Sequence, residues 1–216
     1  LCMMNYQHRS RKRKDKLFSA IENRSEMSRQ IKQKLEDSVM RKVNLFIAMS
    51  LDGYIADSEG GVDWLGGQGE ESEDVDVYSA FIKDIDTVLM GWKTYHQIVT
   101  ELSPEEWIYH NLKTYVFTHK EHKSTKNVQF IDRDPADLIT SLREKDGRDI
   151  WICGGANLIQ QMVKEDLIDC YYITIIPTIL GSGIRLFDNL AGRELKLKLI
   201  KTQTYNGMTD LVYVRR

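Results

Sequence analysis

A chain of 216 residues, 42% of them apolar, is long enough for one buried core with an appendage. No apolar run approaches the roughly 18 residues a spanning helix needs, and the basic N-terminus lacks the apolar stretch of a secretory signal, so a soluble, cytoplasmic protein without a membrane partner is expected. Three cysteines (Cys2, Cys153 and Cys170) are too scattered for a disulfide framework, and no Cys or His pair stands at zinc-ligand spacing, so no metal is expected either.

The net charge of −2 hides an asymmetry. Residues 1–42 carry about +7 and the remainder about −9. RSRKRKDK, from Arg9 to Lys16, suits a phosphate backbone, but no helix-turn-helix or aromatic-interleaved pattern follows to read bases, so nucleic acid is not the expected partner. Leu17, Phe18, Ile21, Met27, Ile31 and Leu35 recur at helical spacing, which predicts an amphipathic helix over about 15–37. Residues 1–39 therefore read as a basic helical extension and 40–216 as the main domain. Met40 reads equally as an initiator, which would leave the preceding residues without a role.

From Lys42 the pattern alternates. VNLFIAMS is a strand buried on both faces. A polar, Gly-rich loop follows over 57–72, then a helical face from Val75 to Ile85, then TVLMG as a short buried strand. KTYHQIVTEL reads as helix, and TYVFT and NVQFI as strands. Asp134-Pro135 opens a helix to about Lys145 with a capping acid and a first-turn proline. DIWIC is a strand, 156–164 a helix and CYYITIIPTIL a long strand. Asn206-Gly207 joins two terminal strands, about 195–205 and 208–214, into a hairpin. The fold class is α/β with an antiparallel C-terminal edge.

Two strand-to-helix junctions carry glycine: LMGWKTY at Gly91 and CGGANLI at Gly154 and Gly155. A helix start leaves backbone N–H groups unpaired and partly positive, so a glycine-cleared approach to one makes an anion site. The G-x-G-x-x-G dinucleotide fingerprint stands at neither junction.

The order of motifs is more specific than any one of them. SLDGYIA (50–56), VDWL (62–65), DTVLMGWKTY (86–95), IWICGGANLI (150–159) and LIDCYYITIIPTILGSGIRLF (167–187) resemble the dihydrofolate reductase-like superfamily. Specifically, they resemble the group named for the C-terminal reductase domain of the riboflavin-biosynthesis deaminase/reductase, over about 41–216. The resemblance implies a mixed, mostly parallel sheet with helices on both faces, a homodimer, and NADPH as cofactor. It implies a cis Gly-Gly turn that lets the pyrophosphate approach the main chain. Ala48 and Ile55 would flank the nicotinamide; Gly91, Lys93 and Thr94 would meet the adenosine side and pyrophosphate. Thr118 would border the adenine, and Gly154, Gly155, Ala156 and Asn157 would close the phosphate site.

One position departs from that pattern. The family usually has Arg after the strand glycine, where its planar fork holds the 2′-phosphate; this chain has Trp92. Lys93 or Lys120 would then have to supply the charge, and NADH is not excluded. Folate-reducing relatives place an acid before the VLMG strand, which points here to Asp74 or, in closer register, Asp76; each reads equally as an exposed helix-start acid. Asp52 is a second candidate acid, or the holder of a turn with Gly53. Trp64, Trp107 and Tyr109 lie in loops suited to stacking on a flat heterocycle. The reading is an NAD(P)H-dependent reductase of a small heterocyclic or carbonyl/imine substrate. No H-x-E and P-C-x-x-C deaminase motif stands in the chain, so a separate deaminase would be needed in riboflavin synthesis. The alternatives are a non-catalytic nucleotide-binding protein with a decayed site, and a nucleic-acid-associated protein using the basic helix.

Overall fold

The computed structural model describes residues 40–69, 76–188, 190 and 192–216; the helical extension expected over 1–39, and Asp74, lie outside the described residues. The chain runs β1 (Val43–Ser50), β2 (Tyr54–Ala56), α1 (Val77–Ile82), β3 (Ile85–Gly91) and α2 (Trp92–Gln97), which widens into a π-helical turn, Ile98–Leu102. Next come β4 (Lys113–Phe117), β5 (Val128–Ile131), α3 (Pro135–Arg143), β6 (Asp149–Gly154) and α4 (Ala156–Lys164). The chain finishes with β7 (Cys170–Ile176), β8 (Ile184–Arg185), β9 (Leu197–Tyr205) and β10 (Met208–Arg215).

Eight strands form one sheet in the order β5-β4-β3-β6-β1-β7-β10-β9, and β2 pairs with β8 in a second, small sheet. The neighbours from β5 to β7 are parallel; β10 is antiparallel to both β7 and β9. This is a mixed, mostly parallel sheet with a C-terminal hairpin, as expected. The central strands are mostly apolar because both their faces are covered. In β1, Val43 and Leu45 enter a core with Leu138, Ile139 and Leu142 of α3 and Leu158, Ile159 and Met162 of α4. Phe46 turns to the opposite face, where Phe81, Val88, Met90 and Trp151 form the second core. Alternate residues of one strand thus serve two cores.

Local signals set several ends. Asp134 accepts from the N–H of Ala136 at 2.8 Å and caps α3 with Pro135 in its first turn. Asn206 and Gly207 take φ of 46° and 73°, the left-handed pair a tight hairpin needs. Other ends differ from expectation. The helix expected to reach Ile85 stops at Ile82, because Ile85 is fully buried and starts β3 opposite Asp149. The helix expected over 93–102 is α-helical only to Gln97; Ser103 then donates to the Ile98 carbonyl at 2.7 Å, an i to i+5 bond. The long strand expected from Cys170 to Leu180 ends at Ile176, since Pro177 has no N–H to continue the ladder.

Candidate active site

The sheet order decides what meets at its carboxyl edge. β4, β3, β6 and β1 are consecutive parallel neighbours, so their C-terminal ends lie side by side and carry Thr118, Gly91, Gly154 and Ala48 in that order. At about 4.8 Å between strands, that row spans roughly 14 Å. Open α/β sheets place ligands along this edge.

At its middle the two glycine junctions come together. Gly91 stands at the N-cap of α2 and Gly155 at that of α4, and neither helix start receives a side-chain cap. A Cβ on Gly91 would lie 3.8 Å from the Gly155 nitrogen. On Gly154 and Gly155 it would lie 3.5 and 3.3 Å from Thr94 Oγ1. Gly154 has φ of 145°, a conformation that favours glycine, and its peptide bond to Gly155 is cis. Main chain and the Thr94 hydroxyl are thus exposed to each other with no side chain between. Such a surface presents helix-start N–H groups to an anion.

The remaining expected residues distribute around this centre. Ala156 and Asn157 open α4, with Asn157 Oδ1 accepting from Gln161. Lys93 and Lys120 are exposed, and among the described residues neither is ion-paired. Thr118 binds the Lys120 N–H through Oγ1 at 3.1 Å, which folds the loop after β4 back on itself. Ile55 sits in β2, half-buried and packed against the core that α3 and α4 cover.

Both candidate acids are hydrogen-bonded carboxylates. Asp76 is exposed and caps α1, accepting from the Ser79 N–H at 2.8 Å. Hydrogen bonds from the Ser79 hydroxyl and N–H hold its carboxyl below the ordinary range, the reverse of what a proton donor near neutral pH requires. Asp52 is a clamp. It accepts from the Ser50 hydroxyl at 2.6 Å and from the N–H groups of Gly181 and Leu180 at 2.8 and 3.1 Å. These bonds, the Ser50 one foremost, hold its pKa at about 2.

The aromatics also sit differently than expected. Trp107 and Tyr109 are not loose loop side chains but links in a chain of rings, Tyr95–Trp107–Tyr109–Trp151, with centroids 5.1–5.3 Å apart. Trp64 points its Nε1 at the Gly61 carbonyl, 3.2 Å away, and so closes its own loop. Cys153 lies 3.9 Å from the Tyr109 hydroxyl, and burial pushes its thiol up to about 12, which leaves it unreactive. Trp92 stacks on His122 at 4.0 Å and 16°, a pairing no sequence signal announced.

Residues 41–211 match the family model described as the RibD C-terminal domain. The chain belongs to the RibD C-terminal domain family. This RibD C-terminal domain is 40% identical over 178 residues to the uncharacterised protein YwjB of Bacillus subtilis, with 81% of this chain and 98% of YwjB covered. It superposes on the crystal structure of a protein from Shewanella sp. PV-4 ascribed to riboflavin biosynthesis, with a TM-score of 0.71, 30% identity, and 81% and 99% of the chains covered. The fold is also that of Enterococcus faecalis dihydrofolate reductase in complex with NADP(H), at a TM-score of 0.55 and 15% identity, covering 81% of this chain and 96% of that one.

The Asp52 clamp makes the acid stability of this RibD C-terminal domain predictable. Its folded pKa of about 2 lies below the ordinary 3.8, so the unfolded chain takes up the proton first. The stabilisation is full above the unfolded value and disappears as pH falls through the folded one. Thermal melts between pH 5 and 2 should therefore show a steeper fall in Tm for wild type than for Asp52→Asn. Parallel curves would mean that the carboxylate is not the clamp's working group.

Proposed function

We propose that this RibD C-terminal domain is an NAD(P)H-dependent reductase of a small heterocyclic or carbonyl/imine compound, similar to the reductase of riboflavin biosynthesis. The observation that supports it best is the convergence of Gly91, Thr94, Gly154 and Gly155 at neighbouring strand ends. These residues fit a dinucleotide pyrophosphate, which needs exposed N–H groups and no intruding side chain. The Thr94 hydroxyl and the first N–H groups of α4, at Ala156 and Asn157, would hold it. Lys93 and Lys120 would face its charge, Thr118 would border the adenine, and Ala48 and Ile55 would flank the nicotinamide. When bound, the cofactor supplies a hydride; the protein's part is to place it against the acceptor and exclude water. Asp76 and Asp52, both held as carboxylates, are assigned no proton transfer.

Titration with NADPH and NADH, followed by quenching of tryptophan fluorescence, tests the reading: saturable binding is expected, and its absence for both would sink it. A second reading, a nucleotide-binding protein without catalysis, draws on Trp92, whose ring is committed to His122 where the family usually has Arg. Bound NADPH that is never oxidised by any carbonyl, imine or pterin-like compound would favour that reading.

We also propose a homodimer built from the body alone, the commonest soluble assembly. Residues 41–216 form one compact unit. Light scattering on a chain starting at Met40 should give twice the monomer mass. A monomer there, with a dimer only for the full chain, would move the interface to the first 39 residues.

A further inference from the structure

The loop after β4 is basic. Residues 119–126 read HKEHKSTK, in which Lys120, Lys123 and Lys126 are exposed and Glu121 is the sole acid. Both ends of this loop are bonded to the strands it joins. At the first, Thr118 Oγ1 accepts from the Lys120 N–H at 3.1 Å, and His119 Nδ1 lies 2.8 Å from Asp132 Oδ1. At the second, Ser124 Oγ accepts from the Phe130 N–H at 3.1 Å, and the Thr125 N–H donates to the Val128 carbonyl at 2.8 Å.

Between those ends the loop is held by a ring. His122 is half-buried, whereas Glu121 and Lys123 on either side of it are exposed. Its imidazole lies nearly parallel to the Trp92 indole, with centroids 4.0 Å apart at 16°, and leans on Phe130 at 5.0 Å. Trp92 is the first residue of α2, directly after Gly91. The stack leaves His122 Nε2 buried without a hydrogen-bond partner, which is unfavourable for a polar ring. What the pairing secures against that penalty is the place of the loop. Lys120 and Lys123 flank the pinned residue and are brought to the start of α2, where Lys93 stands.

The position of these lysines says what they would meet. β6, β3 and β4 are neighbours, so the loop begins two strand spacings, about 10 Å, from Gly154. A pyrophosphate at the glycine junction, with its adenosine running toward Thr118, carries the 2′-oxygen of the ribose in this direction. Trp92 offers no cation there. Lys93, Lys120 and Lys123 do, and among the described residues none of the three is ion-paired. An ammonium on a flexible stem binds phosphate as a point charge, and three act together on one group only if the segment carrying two of them is already in place.

We propose that His122 is a positioning residue for cofactor selectivity: stacked on Trp92, it holds Lys120 and Lys123 beside Lys93, and the three ammonium groups take the 2′-phosphate of NADPH. The proposal rests on the cofactor reading and adds to it a preference of the wild-type protein for NADPH over NADH.

Calorimetric titration with NADPH and NADH tests it. Wild type should bind NADPH roughly tenfold more tightly than NADH, and about 0.5 M NaCl should remove most of that difference, because exposed charges are screened. His122→Ala should lower the ratio at least fivefold with NADH affinity within twofold of wild type. His122→Phe keeps a flat ring against Trp92 and should restore the ratio, which a general loosening of the fold would not do. Equal affinity of wild type for the two cofactors, or an unchanged ratio in a His122→Ala protein folded by circular dichroism, overturns the proposal. So does a phenylalanine variant that behaves like alanine. Should the His122 variants fail to fold, the double variant Lys120→Ala, Lys123→Ala decides, since both side chains are exposed. Loss of the ratio in it supports the cluster, and a wild-type ratio overturns it. Failure of wild type to bind either cofactor would instead sink the cofactor reading, and this proposal with it.

Discussion

Gly155→Val is expected to weaken dinucleotide binding at least a hundredfold while leaving the protein folded. The first carbon added would already stand 3.3 Å from Thr94 Oγ1, closer than most side-chain contacts, and the two methyls beyond it have only the junction itself to enter. They would cover the N–H groups at the start of α4 and push Thr94 from its place. A hundredfold corresponds to about 2.8 kcal/mol, a plausible share of a pyrophosphate's charge-assisted bonds. Gly155 is a helix cap in an extended conformation, with φ of −86°, so the backbone itself accepts a side chain there. Circular dichroism should therefore be unchanged, and Gly155→Ala should fall between wild type and valine. A folded Gly155→Val protein with wild-type affinity for NADPH would remove this junction from the cofactor site.

Trp92→Arg is expected to raise affinity for NADPH by roughly tenfold or more and to leave NADH within about twofold. A hydrogen bond to a charged group contributes about 1.5–3 kcal/mol, and only NADPH carries the 2′-phosphate that a guanidinium at this position would meet. In the native protein the indole stacks on His122, with Tyr95 and Phe130 at 5.8 and 6.1 Å. A guanidinium is planar and stacks on rings, so it can keep part of that packing; we expect a loss of about 1–2 kcal/mol in stability from the rest. Fluorescence titration of both cofactors measures the effect, with three of the four tryptophans remaining as reporters. Equal gains for NADPH and NADH would show that position 92 does not face the 2′-phosphate. If wild type already prefers NADPH by a hundredfold, Lys93 or Lys120 carries the contact, and the alanine variant of that lysine should lose it.

Much of the fold was legible along the chain because its signals are local. The apolar runs of β1, β3 and β6, the Asp134-Pro135 start of α3, the 156–164 helix and the Asn206-Gly207 hairpin each depend on residues within a few positions of one another. Their spacing also carried the family resemblance that the match over 41–211 bears out. The glycine junctions were legible as candidate anion sites for the same reason: a strand, a glycine and a helix start are consecutive. The acids were not. An aspartate before a helix reads alike whether it caps the helix or enters a pocket, and only the Ser79 contacts assign Asp76 to the first.

By itself, then, the sequence determined the order and type of the elements, the family, and which turns required glycine, since backbone conformation and two-sided burial leave their mark on neighbouring residues. Only the tertiary structure decided what those elements bring together. Asp52 meets Leu180 across 128 positions, and Thr174 meets Asp210 across 36. Gly155 faces Thr94 because β3 and β6 became neighbours in the sheet, and Trp92 meets His122 because the loop after β4 folds back over α2. Each of these contacts is made by strand pairing or ring packing between distant segments, and such pairings are chosen by the burial of the whole sheet rather than by the residues on either side of one position.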